Sequence, residues 1–171
     1  SSSPAGDALP PLFAGGASVE VASVRGSRRV TIEEFVIGPK RNVLEEDELI
    51  AAVVVPAARG PQQFAKVGTR NAMVIAVCSF ALDLSNGRVG TCIGSAGPRP
   101  LRAFEAEEFA AGLDPGAPLD ERAAARFGEL VAAAASPIDD VRGTAAYRRH
   151  ALSVLARRTL TWAWREREAA A

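Results

Sequence analysis

The feature that most constrains this chain is a change of character around Pro98-Arg99-Pro100. Before it, apolar residues come in short runs, several of them alternating. After it, alanine-rich segments with apolar residues three and four apart continue to the end. Strands and helices segregated along the chain argue against an alternating βαβ arrangement. They predict an α+β fold in which helices cover one face of a small antiparallel sheet.

The strand-rich part has its own internal signals. MVIAVCSFALDL and RVGTCIGSAG flank Ser85-Asn86-Gly87, and Asn-Gly is a strong hairpin signal because both residues tolerate positive φ. QQFAKVG adds a third strand. Further forward, GASVEVASV and RRV around RGS predict a hairpin over residues 17–31. Thr31 with Glu34 three residues on fits a capping box at the start of TIEEF. LEEDELIAAVVVP reads as an acidic bend and then a β-branched strand closed by Pro56. ALPPLFA, residues 8–14, predicts one short helical turn with Asp7 as its cap. AARGP near residue 60 is a plausible boundary. In the last helix, Tyr147, Ala151, Leu155, Thr159 and Trp162 share a face, and the arginines take the others.

Composition excludes several function classes. Twenty basic and twenty acidic residues give zero formal net charge, which removes the electrostatic case for nucleic acid or a membrane surface. The longest apolar stretches are too short to span a bilayer. Hydrophobic residues make up 48% of 171, enough for a packed core. Cys78 and Cys92 read as two buried thiols in a reducing, cytoplasmic compartment, with a disulfide across the hairpin as the alternative. His150 is the single histidine and reads as a surface residue on a basic helix face. No metal-ligand cluster surrounds it, so no metal site is assigned. No Gly-x-Gly-x-x-Gly, Walker or Gly-x-Ser-x-Gly pattern is present, and no catalytic residue is assigned. The acids of EEDE read as a solvated bend.

Three segments carry chemistry. In SPAGD, a proline-glycine turn delivers Asp7 to a helix start, where it can cap the helix or hold a ligand hydroxyl. In FAKVGTRN, Lys66 sits on a strand among apolar residues with Arg70 four residues on. A lysine there is costly unless it meets an anion or an electron-rich ring. DVRGTAAYRRHALSVLARR places an Asp–Arg pair at a turn into a long helix, which reads as a structural turn and cap.

In order and spacing, these segments resemble the FAD-binding medium subunit of the xanthine dehydrogenase and carbon monoxide dehydrogenase family, the molybdenum hydroxylases. The resemblance runs through SSPAGDALPPL, IEEFVIGPKRNVLEEDELIAAVVVP, FAKVGTRNAMVIAVCSFAL, GSAGPRPLRAFEAE and DVRGTAAYRRHALSVLARR. It implies the end of a PCMH-type FAD-binding domain over residues 1–58 and a C-terminal flavoprotein domain over 59–171. It implies that Asp7 contacts FAD, that the backbone of Ile50 lies against the flavin ring, and that Lys66 stands near that ring. A lysine there favours an anionic reduced ring. Val74 stands where family members often carry Asp, a position with no cofactor role.

The resemblance further implies an electron-transfer component. Electrons would pass from 2Fe-2S clusters on a small subunit through FAD to an acceptor such as NAD, while a large subunit carries molybdopterin. A hetero-oligomer follows. The family's glycine-rich phosphate loops stand upstream of SPAGD, so the expectation is that the front half of the flavin domain is missing from this stretch. The alternative is a non-catalytic subunit-docking module that binds no FAD by itself. Trp162 and Trp164 read either as a partner-facing helix end or as packing within the subunit.

Overall fold

The computed structural model describes residues 3–70 and 73–170. Ser1, Ser2, Asn71, Ala72 and Ala171 lie outside it, and with them the first two residues of the opening segment and the middle of TRNAMV. The fold is α+β with small antiparallel sheets, as the segregated sequence pattern predicts.

Helix α1 (Leu9–Ala14) begins with Pro10 and Pro11 in its first turn, where a missing N–H is no loss. Its N-cap is Ala8, and no side chain caps it. The expected Asp7 cap is therefore not formed. The Asp7 carboxylate instead accepts from the Lys66 ammonium at 2.5 Å, a full opposite charge against which a helix of six residues offers only a weak dipole.

Strands β1 (Ser18–Ser23) and β2 (Gly26–Thr31) form the expected hairpin. The turn residues are Val24 and Arg25, and Gly26 opens β2 at φ +133°. Thr31 caps α2 (Ile32–Phe35) with the full capping box: the Glu34 amide donates to the Thr31 hydroxyl, and the Glu34 carboxylate accepts from the Thr31 amide. A short hairpin of β3 (Val36–Gly38) and β4 (Arg41–Asn42) follows. β5 (Leu49–Val54) then pairs with β1, giving the order β2-β1-β5. The acidic bend before β5 is more than a solvated face. Glu45 and Asp47 hold Arg25 at 2.7 and 2.6 Å, and Glu48 holds Arg28 at 2.7 Å, tying the bend to the first hairpin.

The second sheet runs β6 (Gln62–Val67), β7 (Cys78–Asp83), β8 (Gly90–Gly94) in that order, antiparallel throughout. Asn86 and Gly87 make the β7–β8 turn at φ +57° and +71°. Strand β7 is shorter than the apolar run MVIAVCSFALDL predicts. The chain from Val74 folds back over the end of β6, so close that a Cβ on Gly68 would stand 2.4 Å from the Val74 side chain. The Val77 amide donates to the Val67 carbonyl at 2.8 Å, and only from Cys78 does regular pairing resume.

Period-2 alternation splits β7 and β8 between two cores. Phe80, Leu82 and Ile93 face α3 (Phe104–Ala111), α4 (Glu121–Ala134) and α5 (Ala145–Ala170). Phe80 meets Phe127 edge-to-face at 6.1 Å. Ala81 and Cys92 face the other way, into a core shared with Phe13, Val19, Val21, Ile32 and Phe35. Helix α1 lies on that second face. Its close approach requires glycine at position 90, where a Cβ would be 2.2 Å from the Ala14 carbonyl oxygen. Cys92 points into this core while Cys78 points into the helical one, so a disulfide between them is excluded. Both are buried free thiols. Burial pushes Cys78 up to about 11 and Cys92 further.

Two details of α5 differ from the sequence reading. Tyr147 and Trp162 are about half exposed. The buried face instead runs through Arg148, Ala151, Leu152, Leu155, Ala156, Thr159, Leu160, Ala163 and Trp164. Trp164 packs within the chain, donating to the Ala117 carbonyl at 2.9 Å and stacking under Arg167. Arg148, placed by the pattern on an outer face, is 3% exposed. Among the described residues, no helix is long and apolar enough to cross a membrane.

Candidate functional site

The site begins with two local rules. On β6, alternation sends Ala65 and Val67 into the helical core, which leaves Lys66 pointing to the opposite face. There its stem is partly covered and its ammonium meets two acceptors: the Asp7 carboxylate at 2.5 Å and the Val74 carbonyl at 3.1 Å. Asp7 arrives from a turn fixed by Pro4 and closed by the Gly6 amide donating to the Ser3 carbonyl at 3.1 Å. The lysine therefore meets the anion that its position requires, 59 residues away in sequence.

Asp7 and Val74, the two acceptors of Lys66, line an open cleft of about 550 Å³ together with Ala5, Thr69, Arg70, Met73, Ile75 and Arg142. Met73 and Ile75 are well exposed apolar side chains there. Arg70 and Arg142 share this lining with Asp7, Arg142 being paired with Asp140 and Asp7 with Lys66. This combines a broad apolar wall with a few convergent charges, the usual make-up of a small-molecule site.

Ile50 lies elsewhere. It sits on β5, paired with Val21 and about half exposed. It lines neither the Asp7 cleft nor the Lys66 contact. β5 is the outer strand of its sheet, so one side of its backbone is open to a ligand. Of the three residues the resemblance implies, the structure brings two into contact and sets the third apart.

The Asp–Arg turn that the sequence predicts as a local cap reaches further in the structure. Asp140 accepts from the Arg142 amide at 2.8 Å and from the guanidinium of Arg148 at 2.5 Å, and it pairs with the Arg142 side chain at 2.9 Å. The backbone donor first, then Arg148, hold its carboxyl at about 2, well below the usual range. Arg148 also donates to the Ser95 carbonyl at 2.6 Å. A second acid, the buried Glu107, accepts from the Thr91 amide and hydroxyl at 2.9 and 2.8 Å and pairs with Arg102, locking α3 to β8. The only advance signal for either network was an Asp or Glu near an Arg on a helix-start segment.

These features define an α+β module with an open cleft between its front turn and the segment after its first rear strand. The chain belongs to the CO dehydrogenase flavoprotein C-terminal domain family, whose sequence pattern matches residues 63–163. Residues 1–58 match the FAD binding domain in molybdopterin dehydrogenase. The chain is 31% identical over 122 residues to the nicotinate dehydrogenase FAD-subunit of Eubacterium barkeri, covering 65% of this chain and 41% of that protein. It is 31% identical over 153 residues to the nicotine 6-hydroxylase medium subunit of Paenarthrobacter nicotinovorans, covering 87% and 53%. Its fold superimposes on CO dehydrogenase from Oligotropha carboxidovorans with a TM-score of 0.83 at 24% identity, covering 96% of this chain and 58% of that one. Quinoline 2-oxidoreductase from Pseudomonas putida 86 gives 0.82 at 23%, covering 96% and 57%. The chain thus spans about half the length of the curated relatives it matches.

Proposed function

We propose that this chain is the rear portion of an FAD-carrying electron-transfer subunit of a molybdenum hydroxylase, with residues 1–58 ending the flavin-binding domain and 59–171 forming the domain behind it. The observation that carries the reading is the contact of Lys66 with Asp7, a residue that lines an open cleft. The donor set suits a flavin: an apolar wall of Met73 and Ile75 for a flat ring, a cation for its polar edge, and a carboxylate for a hydroxyl donor.

Bound FAD would supply the redox chemistry, taking electrons from iron–sulfur clusters and passing them to an acceptor such as NAD. The chain's own residues do the rest. The Lys66 side chain, largely shielded from water, places positive charge where a reduced ring becomes negative. Asp7 accepts a hydroxyl hydrogen bond and holds Lys66 in place. The open edge of β5 at Ile50 offers backbone groups that read a ring edge whatever the side chain. Molybdopterin and 2Fe-2S clusters belong to partner subunits in this reading, which makes the assembly a hetero-oligomer. The two free buried thiols suit the reducing cytoplasm.

The test is Lys66→Ala in the complete subunit, read by FAD content and flavin turnover. FAD affinity should fall about tenfold, the equivalent of ~1.4 kcal/mol. Unchanged content and turnover would remove Lys66 from the site. A complete subunit that purifies colourless and takes up no FAD would favour the docking-module reading instead.

A further inference from the structure

We propose that Arg148, on α5, is a positioning residue that sets Asp7 against Lys66 through the backbone of Ser95. The proposal rests on the reading of Asp7 and Lys66 as flavin-facing groups, but its geometry stands apart from any cofactor. Arg148 is almost fully buried. One terminal nitrogen donates to the Ser95 carbonyl at 2.6 Å and the other to Asp140 at 2.5 Å. The Ser95 amide in turn donates to the Pro4 carbonyl at 2.8 Å. Pro4 is the second residue of the Ser3–Gly6 turn, Asp7 follows that turn directly, and Asp7 receives the Lys66 ammonium. Four links thus run from the helix to the cleft: guanidinium, Ser95 peptide, Pro4 turn, carboxylate.

Ser95 itself supports this. It sits at φ +58°, a left-handed conformation that a non-glycine residue adopts only when its surroundings hold it there. The two bonds that hold it are those from Arg148 and to Pro4. A serine kept in this state, with its amide bonded to Pro4 and its carbonyl to Arg148, transmits the position of α5 to the front turn. A guanidinium suits the task because its rigid fork engages two acceptors at once. Asp140 neutralises the buried charge and is itself fixed by the Arg142 amide. Arg142 lines the same cleft as Asp7, so the clamp reaches two of its lining residues.

A readout independent of flavin is available, because the chain has two lysines, Lys40 and Lys66. Acetylation by an amine reagent, followed by mass spectrometry, reports their accessibility, and exposed Lys40 is the internal reference. In the complete subunit, Asp7→Asn and Arg148→Met should each raise the Lys66/Lys40 labelling ratio several-fold. The double variant should rise no further than the larger single effect. Asp140→Asn, a gentler change that leaves Arg148 in place, should shift the ratio in the same direction by a smaller factor and keeps the test valid if Arg148→Met does not fold. A ratio unchanged in folded Arg148→Met or Asp140→Asn, or effects of Asp7→Asn and Arg148→Met that simply multiply, would overturn the proposal.

FAD affinity measured on the same variants separates the two readings. Coupled labelling together with a coupled loss of affinity of about tenfold supports both. Coupled labelling with unchanged affinity supports the clamp and removes Asp7 from flavin binding. Loss of affinity in Asp7→Asn with no labelling change in folded Arg148→Met keeps the flavin reading and overturns the clamp.

Discussion

The two three-stranded sheets of this chain are built on the same antiparallel plan and end in different states. β6-β7-β8 is closed: helices cover one face, α1 covers part of the other, and every residue of β7 and β8 is buried. β2-β1-β5 is open. Val19 and Val21 of β1 are buried, while on β5 Leu49 is 74% exposed and Ile50 and Val53 nearly half. β5 is apolar at all six positions and β7 at only four, yet most of the β5 side chains stay exposed. Hydrophobic patterning creates a demand for burial, and only the neighbours in space decide whether it is met. Stability therefore concentrates in the rear of the chain. The front is held by its seam with β8 and by charge pairs such as Arg25 with Glu45 and Asp47.

The sharpest way to break this contrast is a matched pair of truncations. Phe127→Ala empties a fully buried site against Phe80 and should cost about 3–5 kcal/mol, whereas Val53→Ala on β5 should cost under ~1 kcal/mol. Chemical denaturation of both variants measures the difference. Equal losses would mean that β5 is buried in the folded protein and that the contrast is false.

The seam comes next. Gly90→Ala drives a methyl into the Ala14 carbonyl and should cost roughly 1–3 kcal/mol. If the two sheets unfold independently, the variant should also split one unfolding transition into two. A single sharp transition at unchanged stability would show that α1 has room to move.

The smallest expected effect is acid sensitivity, and both regions share it. The carboxyl of Asp140 in the rear and that of Glu48 in the front are each held at about 2, Glu48 chiefly by Arg28 and then by the Glu45 amide. A carboxylate whose folded value is depressed contributes stability that is complete above its unfolded value near 4 and is lost as pH falls toward 2. Stability should thus decline between pH 4 and 2. Asp140→Asn should remove part of that slope, and a pH titration of the denaturation midpoint with the full slope retained would argue against the Asp140 network.

Much of the local structure was legible in the sequence because its causes are local. The Thr31–Glu34 capping box, the Asn86-Gly87 turn, the 17–31 hairpin and the three rear helices each follow from residues within one element or one turn of each other. The misreadings share the opposite character. Asp7 looked like a helix cap until Lys66 was beside it. The run from Met73 looked like strand because nothing local shows Val74 folding back over Gly68. Arg148 looked like an outer arginine because helical periodicity ranks residues by hydrophobicity, and an arginine becomes a core residue only when an acid and a carbonyl wait in the interior.

The same division holds for the candidate site. The sequence by itself determined that a lysine on β6 among apolar residues needed an anionic partner, since burial of charge is costly in any fold, and that an aspartate followed a proline-glycine turn. Their being each other's partners was decided by tertiary structure alone, because α1 crosses the far face of β7 and β8 and carries Asp7 over the end of β6. Likewise, alternation placed Cys78 and Cys92 in strands, and only the register of β7 against β8 set them on opposite faces. Short-range chemistry fixes what each residue requires; the packing of segments distant in sequence fixes what it receives.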